Sequence, residues 1–178
     1  VFCDIDYKTG NMSVESVAEK ITYRTKAIIP VHWGGYPCDM DEINALARKN
    51  NLVVVEDAAH ALGATYKGKL IGGLSDYSCF SFQAIKHLTT GDGGAISMLE
   101  NEKFKEAIAR RWFGIDRENA ALSELGERQY SIEKLGFKYH LNNYAAALGI
   151  ANLDRFDERM KNRKEVAAFY TRSLANLP

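Results

Sequence analysis

Leu52-Val53-Val54-Val55 is an unbroken aliphatic run that stops at a carboxylate pair, Glu56-Asp57. A strand that shows no polar alternation is buried on both faces, which is the situation of strands in a parallel sheet covered by helices. The flanking sequence repeats the theme. Ala27-Ile28-Ile29-Pro30-Val31 reads as a second strand. Between the two, Asp39 or Asp41 caps a helix that runs to Asn50 with Ile43, Leu46 and Ala47 on one face. Strands alternating with helices at this spacing predict βαβ units and a mostly parallel sheet flanked by helices, an α/β fold.

The rest of the chain fits that frame. Val1 to Ile5 reads as a short strand, and Ser13 caps a helix through Lys20. Thr65 to Leu70 reads as a hairpin turned at Lys67-Gly68. Tyr77 to Phe82 and Ala95 to Met98 are two more strands, joined by a loop that carries Lys86. Glu102 to Arg111 reads as a helix, and residues 115–135 as a polar, loop-rich excursion. Asn142 or Asn143 caps an Ala-rich helix, Tyr144 to Leu153, and an amphipathic stretch continues to Leu174. The expected division is 1–153 as part of a larger cofactor-binding domain and 154–178 as a helix leading out of it. The chain opens mid-strand without methionine and stops just after a helix, so it is expected to be a fragment of a longer protein.

Composition narrows the function. Lys plus Arg and Asp plus Glu both total 23, so the formal net charge is zero. Neutrality gives no electrostatic case for nucleic acid or an anionic membrane. Cys3, Cys38 and Cys79 are far apart and odd in number, which is neither a disulfide framework nor a metal-ligand spacing. That usage, with no apolar run of membrane length and no signal peptide, predicts a cytoplasmic protein.

In open α/β sheets, ligands bind beyond the carboxyl ends of strands. His32, Asp57 and Lys86 each follow a strand, so all three are expected to converge on one crevice. A carboxylate there can hold a pyridinium nitrogen, and a lysine entering the turn Thr89-Thr90-Gly91-Asp92-Gly93-Gly94 can act as a Schiff-base nucleophile. Those are the two protein groups that pyridoxal phosphate chemistry needs most. Taken singly, Asp57 reads as a turn residue and Lys86 as a solvated lysine; taken together with Ser81 and the glycines, they read as a cofactor site. His60, three residues after Asp57, is balanced between a contact to the cofactor ring and a satisfied, partly buried histidine. His87, beside Lys86, reads as a surface histidine. Arg110, Arg111 and Arg117 are balanced between meeting an anionic substrate and solvating a helix end.

Three segments carry a resemblance. Glu56-Asp57-Ala58-Ala59-His60-Ala61-Leu62-Gly63-Ala64, Ser81-Phe82-Gln83-Ala84-Ile85-Lys86 and Leu135-Gly136-Phe137-Lys138-Tyr139-His140-Leu141-Asn142 resemble the DegT/DnrJ/EryC1/StrS family of pyridoxal-phosphate-dependent nucleotide-sugar aminotransferases. The loop His32-Trp33-Gly34-Gly35-Tyr36-Pro37-Cys38-Asp39-Met40 extends the likeness. The resemblance implies the large domain of an aspartate-aminotransferase-like fold (fold type I) and a homodimer with shared active sites. It implies catalytic roles for Lys86, which binds the cofactor as an imine, and Asp57, which salt-bridges the pyridine nitrogen. It makes Ala58, His60, Ser81 and Lys138 further cofactor-binding residues, with the Ser81 hydroxyl on the phosphate. Several family members carry Asn where Lys138 stands, reaching the phosphate in the neighbouring subunit, and Arg where His140 stands. The implied substrates are a nucleotide-linked keto-sugar and an amino-acid donor, glutamate in the family. The nearest rival within the family is a sugar dehydratase, in which histidine replaces the Schiff-base lysine. A non-catalytic, cofactor-binding regulator is another, and the pairing of Lys86 with Asp57 argues against it.

Overall fold

Ser13 and Asn142 begin their helices by the same device. The Ser13 hydroxyl accepts from Ser16 N–H at 3.2 Å and opens α1 (Val14–Lys20), and Asn142 Oδ1 accepts from Ala145 N–H at 2.9 Å and opens α4 (Asn143–Leu153). Both bonds satisfy amide groups that the first turn leaves without partners. The computed structural model describes residues 1–117, 119–132 and 134–177.

The central sheet contains β1 (Ala27–Ile28), β2 (Val53–Asp57), β5 (Tyr77–Ser81) and β6 (Gly94–Met98), in the order β1-β2-β5-β6. β1, β2 and β5 run parallel, and β6 closes the edge antiparallel to β5. This is the mostly parallel α/β sheet expected. A tight hairpin, β3 (Thr65–Tyr66) and β4 (Lys69–Leu70), turns at Lys67 and Gly68, both with positive φ, as the sequence predicted.

α2 (Met40–Lys49) follows Asp39 and packs on β1 and β2. Val17 of α1, Met40, Ile43 and Ala47 of α2, Ile28 and Val54 of the sheet, and Cys38 form one buried cluster. A smaller cluster of Ala58, Ala61 and Ile71 lies under the turn after β2. α3 (Asn101–Arg110) lies against β6, and α4 leads into α5 (Phe156–Leu174).

Three expectations are corrected. Val1 to Ile5 is not a strand; Ile5 makes a single antiparallel bridge with Met12. The strand expected over 27–31 is paired continuously only at Ala27 and Ile28, and then once more in the same register at Val31↔Asp57. Pro30 explains the gap: its carbonyl accepts from Asp57 N–H at 2.8 Å, but it has no N–H to continue the ladder. The excursion over 115–135 contains a short antiparallel ribbon, β7 (Ala121–Leu122) with β8 (Arg128–Gln129), turned at Gly126. Glu118 and Glu133 of that excursion, and Pro178 of the final segment, lie outside the described residues.

Candidate active site

The register of β2 on β5 positions the site. Asp57 pairs with Cys79, so the two side chains share one face of the sheet, and Ser81 lies two residues further along that face. Burial alternates along β2: Val54 and Glu56 are buried, whereas Val53, Val55 and Asp57 are half-buried on the opposite face. Because the strands are parallel, Asp57 and Ser81 stand at the same carboxyl edge, and the chain runs from Ser81 directly into the Lys86 turn. Asp57 itself is clamped by backbone bonds. Its N–H donates to Pro30 O at 2.8 Å, its carbonyl accepts from His32 N–H at 3.1 Å, and Ala58 N–H donates to Cys79 O at 2.8 Å. Asp57 Oδ1 accepts from Ala59 N–H at 3.1 Å, a turn-forming bond that leaves its other oxygen without a protein donor among the described residues. The carboxylate therefore both shapes the turn and presents an acceptor outward. Its charge also reaches Cys79, whose thiol pKa is raised first by burial and then by Asp57.

The turn after Asp57 places Ala58 in the core and His60 at the surface, its ring 6.0 Å from that of Trp33 at 58°. Gly35 lies so close to this turn that a Cβ there would come 2.7 Å from His60 O.

The Lys86 turn is fixed at many points. Phe82 N–H donates to Gly93 O at 2.8 Å, Thr90 N–H to Phe82 O at 2.9 Å, and Lys86 N–H to Gln83 O at 2.9 Å. Leu88 and Thr90 are buried. Asn152 of α4 donates to Thr89 O at 3.3 Å, tying the turn to the helix. His87 is not the surface histidine expected. It is half-buried, with Nε2 2.7 Å from Leu62 O and its ring stacked on Phe156 at 5.9 Å. A carbonyl only accepts, so His87 Nε2 carries the proton of that bond. His87 thus links the Lys86 turn to the turn that follows Asp57. Lys86 is half-buried, and among the described residues its amine has no ion-pair partner.

Two side chains lie apart from this edge of the sheet. His32 does not join Asp57 and Lys86 in the crevice. It is fully buried, with Nε2 2.8 Å from Glu56 Oε2 and Nδ1 accepting from Cys38 N–H at 3.1 Å. Lys138 is exposed on a segment fastened to the end of α3, where it bridges Trp112, and no hydrogen bond joins it to Asp57, His60, Ser81 or Lys86 among the described residues. Arg110 answers as a helix-end residue, bonded to Glu106 and to Leu135 O, while Arg117 lies 5.6 Å over the Trp112 ring.

Sequence reasoning missed what lies under the site. Glu56 is fully buried and accepts from Ser78 Oγ at 2.7 Å, from the Ser75 hydroxyl and from His32. Burial pushes its pKa up, but the bonds from His32, Ser75 and Ser78 outweigh that and hold it below the usual carboxylate range. The signal was in the sequence: a glutamate inside Val-Val-Val-Glu must be buried, and a buried carboxylate requires donors.

A carboxylate, a primary amine, a hydroxyl and an imidazole at one edge of a parallel sheet form the donor set that pyridoxal phosphate requires, so the residues present fit that group. The comparisons with known proteins agree. Residues 1–178 match the DegT/DnrJ/EryC1/StrS aminotransferase family. The chain is 41% identical over 177 residues to GDP-perosamine synthase of Caulobacter vibrioides, covering 99% of this chain and 45% of that protein. AtS13 from Actinomadura melliaura superposes with a TM-score of 0.91 at 38% identity, over 100% of this chain and 48% of that one. The sugar aminotransferase Spr1654 of Streptococcus pneumoniae, described as putative and solved in a PLP-form and a PMP-form, superposes with TM-scores of 0.88 and 0.87 at 30% identity. The match covers 99% of this chain in both forms, and 48% and 49% of the Spr1654 chains. The chain spans about half the length of the relatives it matches. Their shared architecture is the aspartate-aminotransferase-like large domain that the sequence implied. The chain belongs to the DegT/DnrJ/EryC1/StrS aminotransferase family, whose cofactor is pyridoxal phosphate.

Proposed function

We propose that the full-length protein is an aminotransferase that moves an amino group from an amino acid, glutamate, to a nucleotide-linked keto-sugar. The observation that supports this best is the register Asp57↔Cys79, which brings Asp57 to the same strand edge as Ser81 and the Lys86 turn. Pyridoxal phosphate, when bound, supplies an electron sink for the carbanion formed when the donor loses its α-proton. The protein does the rest. Asp57 keeps the pyridine nitrogen protonated, because a neighbouring anion in a low-dielectric site favours the charged form. Lys86 would hold the cofactor through Nζ, and its amine, when free, would serve as the general base and acid that moves the donor's α-proton. Ser81 and the backbone of the turn would receive the phosphate, His60 would line the ring while Ala58, fully buried, supports the turn from beneath, and Lys138 would reach the phosphate of a neighbouring subunit as a point charge. Its exposed position supports a role in the partner's site rather than in its own.

The working unit in this reading is a homodimer in the cytoplasm. Residues 1–153 contribute to the large domain, and 154–178 lead toward a small one. Among the described residues no helix is long and apolar enough to cross a membrane. A dehydratase reading requires histidine in place of the lysine. His87 is turned toward Leu62 and Phe156, so it does not substitute for Lys86.

The test is a half-reaction. Full-length holoenzyme is mixed with glutamate alone, and the cofactor absorbance band should disappear as 2-oxoglutarate is released stoichiometrically. Adding a panel of nucleotide-linked keto-sugars should restore the band with one of them. If glutamate and other amino acids leave the band unchanged, the protein is not a transaminase.

A further inference from the structure

Glu56 and His32 are both fully buried, on the sheet face opposite Asp57, and the proposed chemistry uses neither. Their bonds specify one proton arrangement. His32 Nδ1 accepts from Cys38 N–H, so the ring proton is on Nε2, where it donates to Glu56 Oε2. The other Glu56 oxygen accepts from Ser75 and Ser78. Glu56 is therefore an anion held by hydrogen bonds to neutral donors.

The same two residues touch both segments that would meet the cofactor. His32 N–H donates to the carbonyl of Asp57, while its ring grips Glu56, the neighbour of Asp57 in the chain. Its Nδ1 closes the loop over 32–38, which carries Trp33 against His60 and Gly35 against the His60 carbonyl. A shift of the His32 ring must move the end of β2 and this loop together.

We propose that the buried Glu56–His32 pair is a positioning device that fixes Asp57 and His60 in the geometry the cofactor ring requires. The inference rests on the enzyme reading above. It makes Glu56 and His32 positioning residues, not catalytic ones.

Isosteric logic supplies the test. Glu56→Gln can turn its carbonyl toward His32 Nε2–H and its amide toward Ser75 and Ser78, whose hydroxyls rotate to accept, so it keeps the geometry and loses the charge. His32→Gln retains a donor toward Glu56, and His32→Asn retains only an acceptor toward Cys38. Three readouts apply to the full-length protein: affinity of the cofactor-free form for pyridoxal phosphate, kcat and KM at saturating cofactor, and amide hydrogen exchange over 32–38 and 57–60 without cofactor. His32→Asn should weaken cofactor affinity and lower kcat on the order of 10²-fold, the effect of a misplacement of about 1 Å. It should also speed exchange in both segments at once. His32→Gln should recover part of each loss, and Glu56→Gln should stay near wild type. If His32→Asn lowers only the melting temperature and leaves affinity, kcat and the exchange of 57–60 unchanged, the pair is structural and the proposal falls. Wild-type protein that fails to bind pyridoxal phosphate would instead overturn the enzyme reading, an outcome seen before any variant is made.

Discussion

The Lys86 turn and the segment over 112–141 both carry a lysine that the family resemblance assigns to the cofactor, yet they are built in opposite ways. The Lys86 turn is closed by its own backbone bonds and tied to the turn after Asp57 and to α4, with Leu88 and Thr90 buried beneath it. The other segment is fastened to the end of α3 by Phe137 N–H on Arg110 O and Tyr139 N–H on Arg111 O, but beyond that it is a ribbon of two two-residue strands and a few bridges, and Leu125, Ile132, Leu135 and Tyr139 lie exposed on it. A side chain that must act on a bound atom needs surroundings that hold it within a fraction of an ångström. A side chain offered to a neighbouring subunit needs only to be displayed. In the proposed reading, the comparison fits Lys86 to chemistry within this chain's own site and Lys138 to an interface.

Substitution of the two lysines should give the largest contrast. Lys86→Ala should abolish turnover while the melting curve stays close to wild type, because a half-buried turn lysine contributes little to the core. Normal transamination by that variant would remove Lys86 from its role. Asp57→Asn should lower kcat on the order of 10²-fold or more, by analogy with the loss of one preorganised electrostatic group. A near-wild-type rate would reduce Asp57 to the turn residue that its bond to Ala59 N–H already makes it. Lys138→Ala should cost about 10-fold in cofactor affinity, equivalent to about 1.4 kcal/mol and near the low end for a hydrogen bond to a charged group. Its kcat at saturating cofactor should be unchanged; a kcat loss as large as that of Asp57→Asn would erase the distinction between the two segments. Asn152→Ala tests the anchoring of the Lys86 turn. It removes the bonds to Thr89 O and Leu148 O and should destabilise the protein by about 1–3 kcal/mol in urea unfolding. No change in stability would mean that α4 does not hold the turn.

Acid should weaken the platform under Asp57. Glu56 is held below the usual carboxylate range in the folded state, so its contribution to stability is present above the ordinary glutamate pKa and is lost as pH falls through the lowered value. Glu56→Gln should flatten the acid side of the stability profile, measured by thermal unfolding between about pH 3 and pH 6. An unchanged acid limb would show that another group governs it.

The contrast between the segments also explains what the sequence disclosed. β2 and β5 were legible because apolar runs bounded by turn residues mark buried strands, whereas Asp57 and Lys86 each had a commoner reading alone and pointed to a site only in combination with Ser81 and the glycines. The caps at Ser13 and Asn142 were legible because a single side chain decides them. His32 was misplaced because position after a strand does not reveal which face a side chain takes, and its partner Glu56 lies 24 residues away. His87 was misread for the same reason: its acceptor, Leu62 O, lies in a segment brought near only by the fold. The ribbon over 121–129 was missed because a pair of two-residue strands leaves no periodicity to detect. Pro30 offers a lesser lesson. It interrupts the strand expected over 27–31, yet the register survives past it at Val31.

The central claim is that Lys86 carries the cofactor. It is tested most directly by reducing full-length holoenzyme with borohydride, digesting it and sequencing the pyridoxyl-labelled peptide by mass spectrometry. The label should fall on Lys86 alone, within Ser81-Phe82-Gln83-Ala84-Ile85-Lys86, and be absent from the Lys86→Ala protein. Label at another lysine, or a cofactor that borohydride does not fix to the protein, would contradict the account.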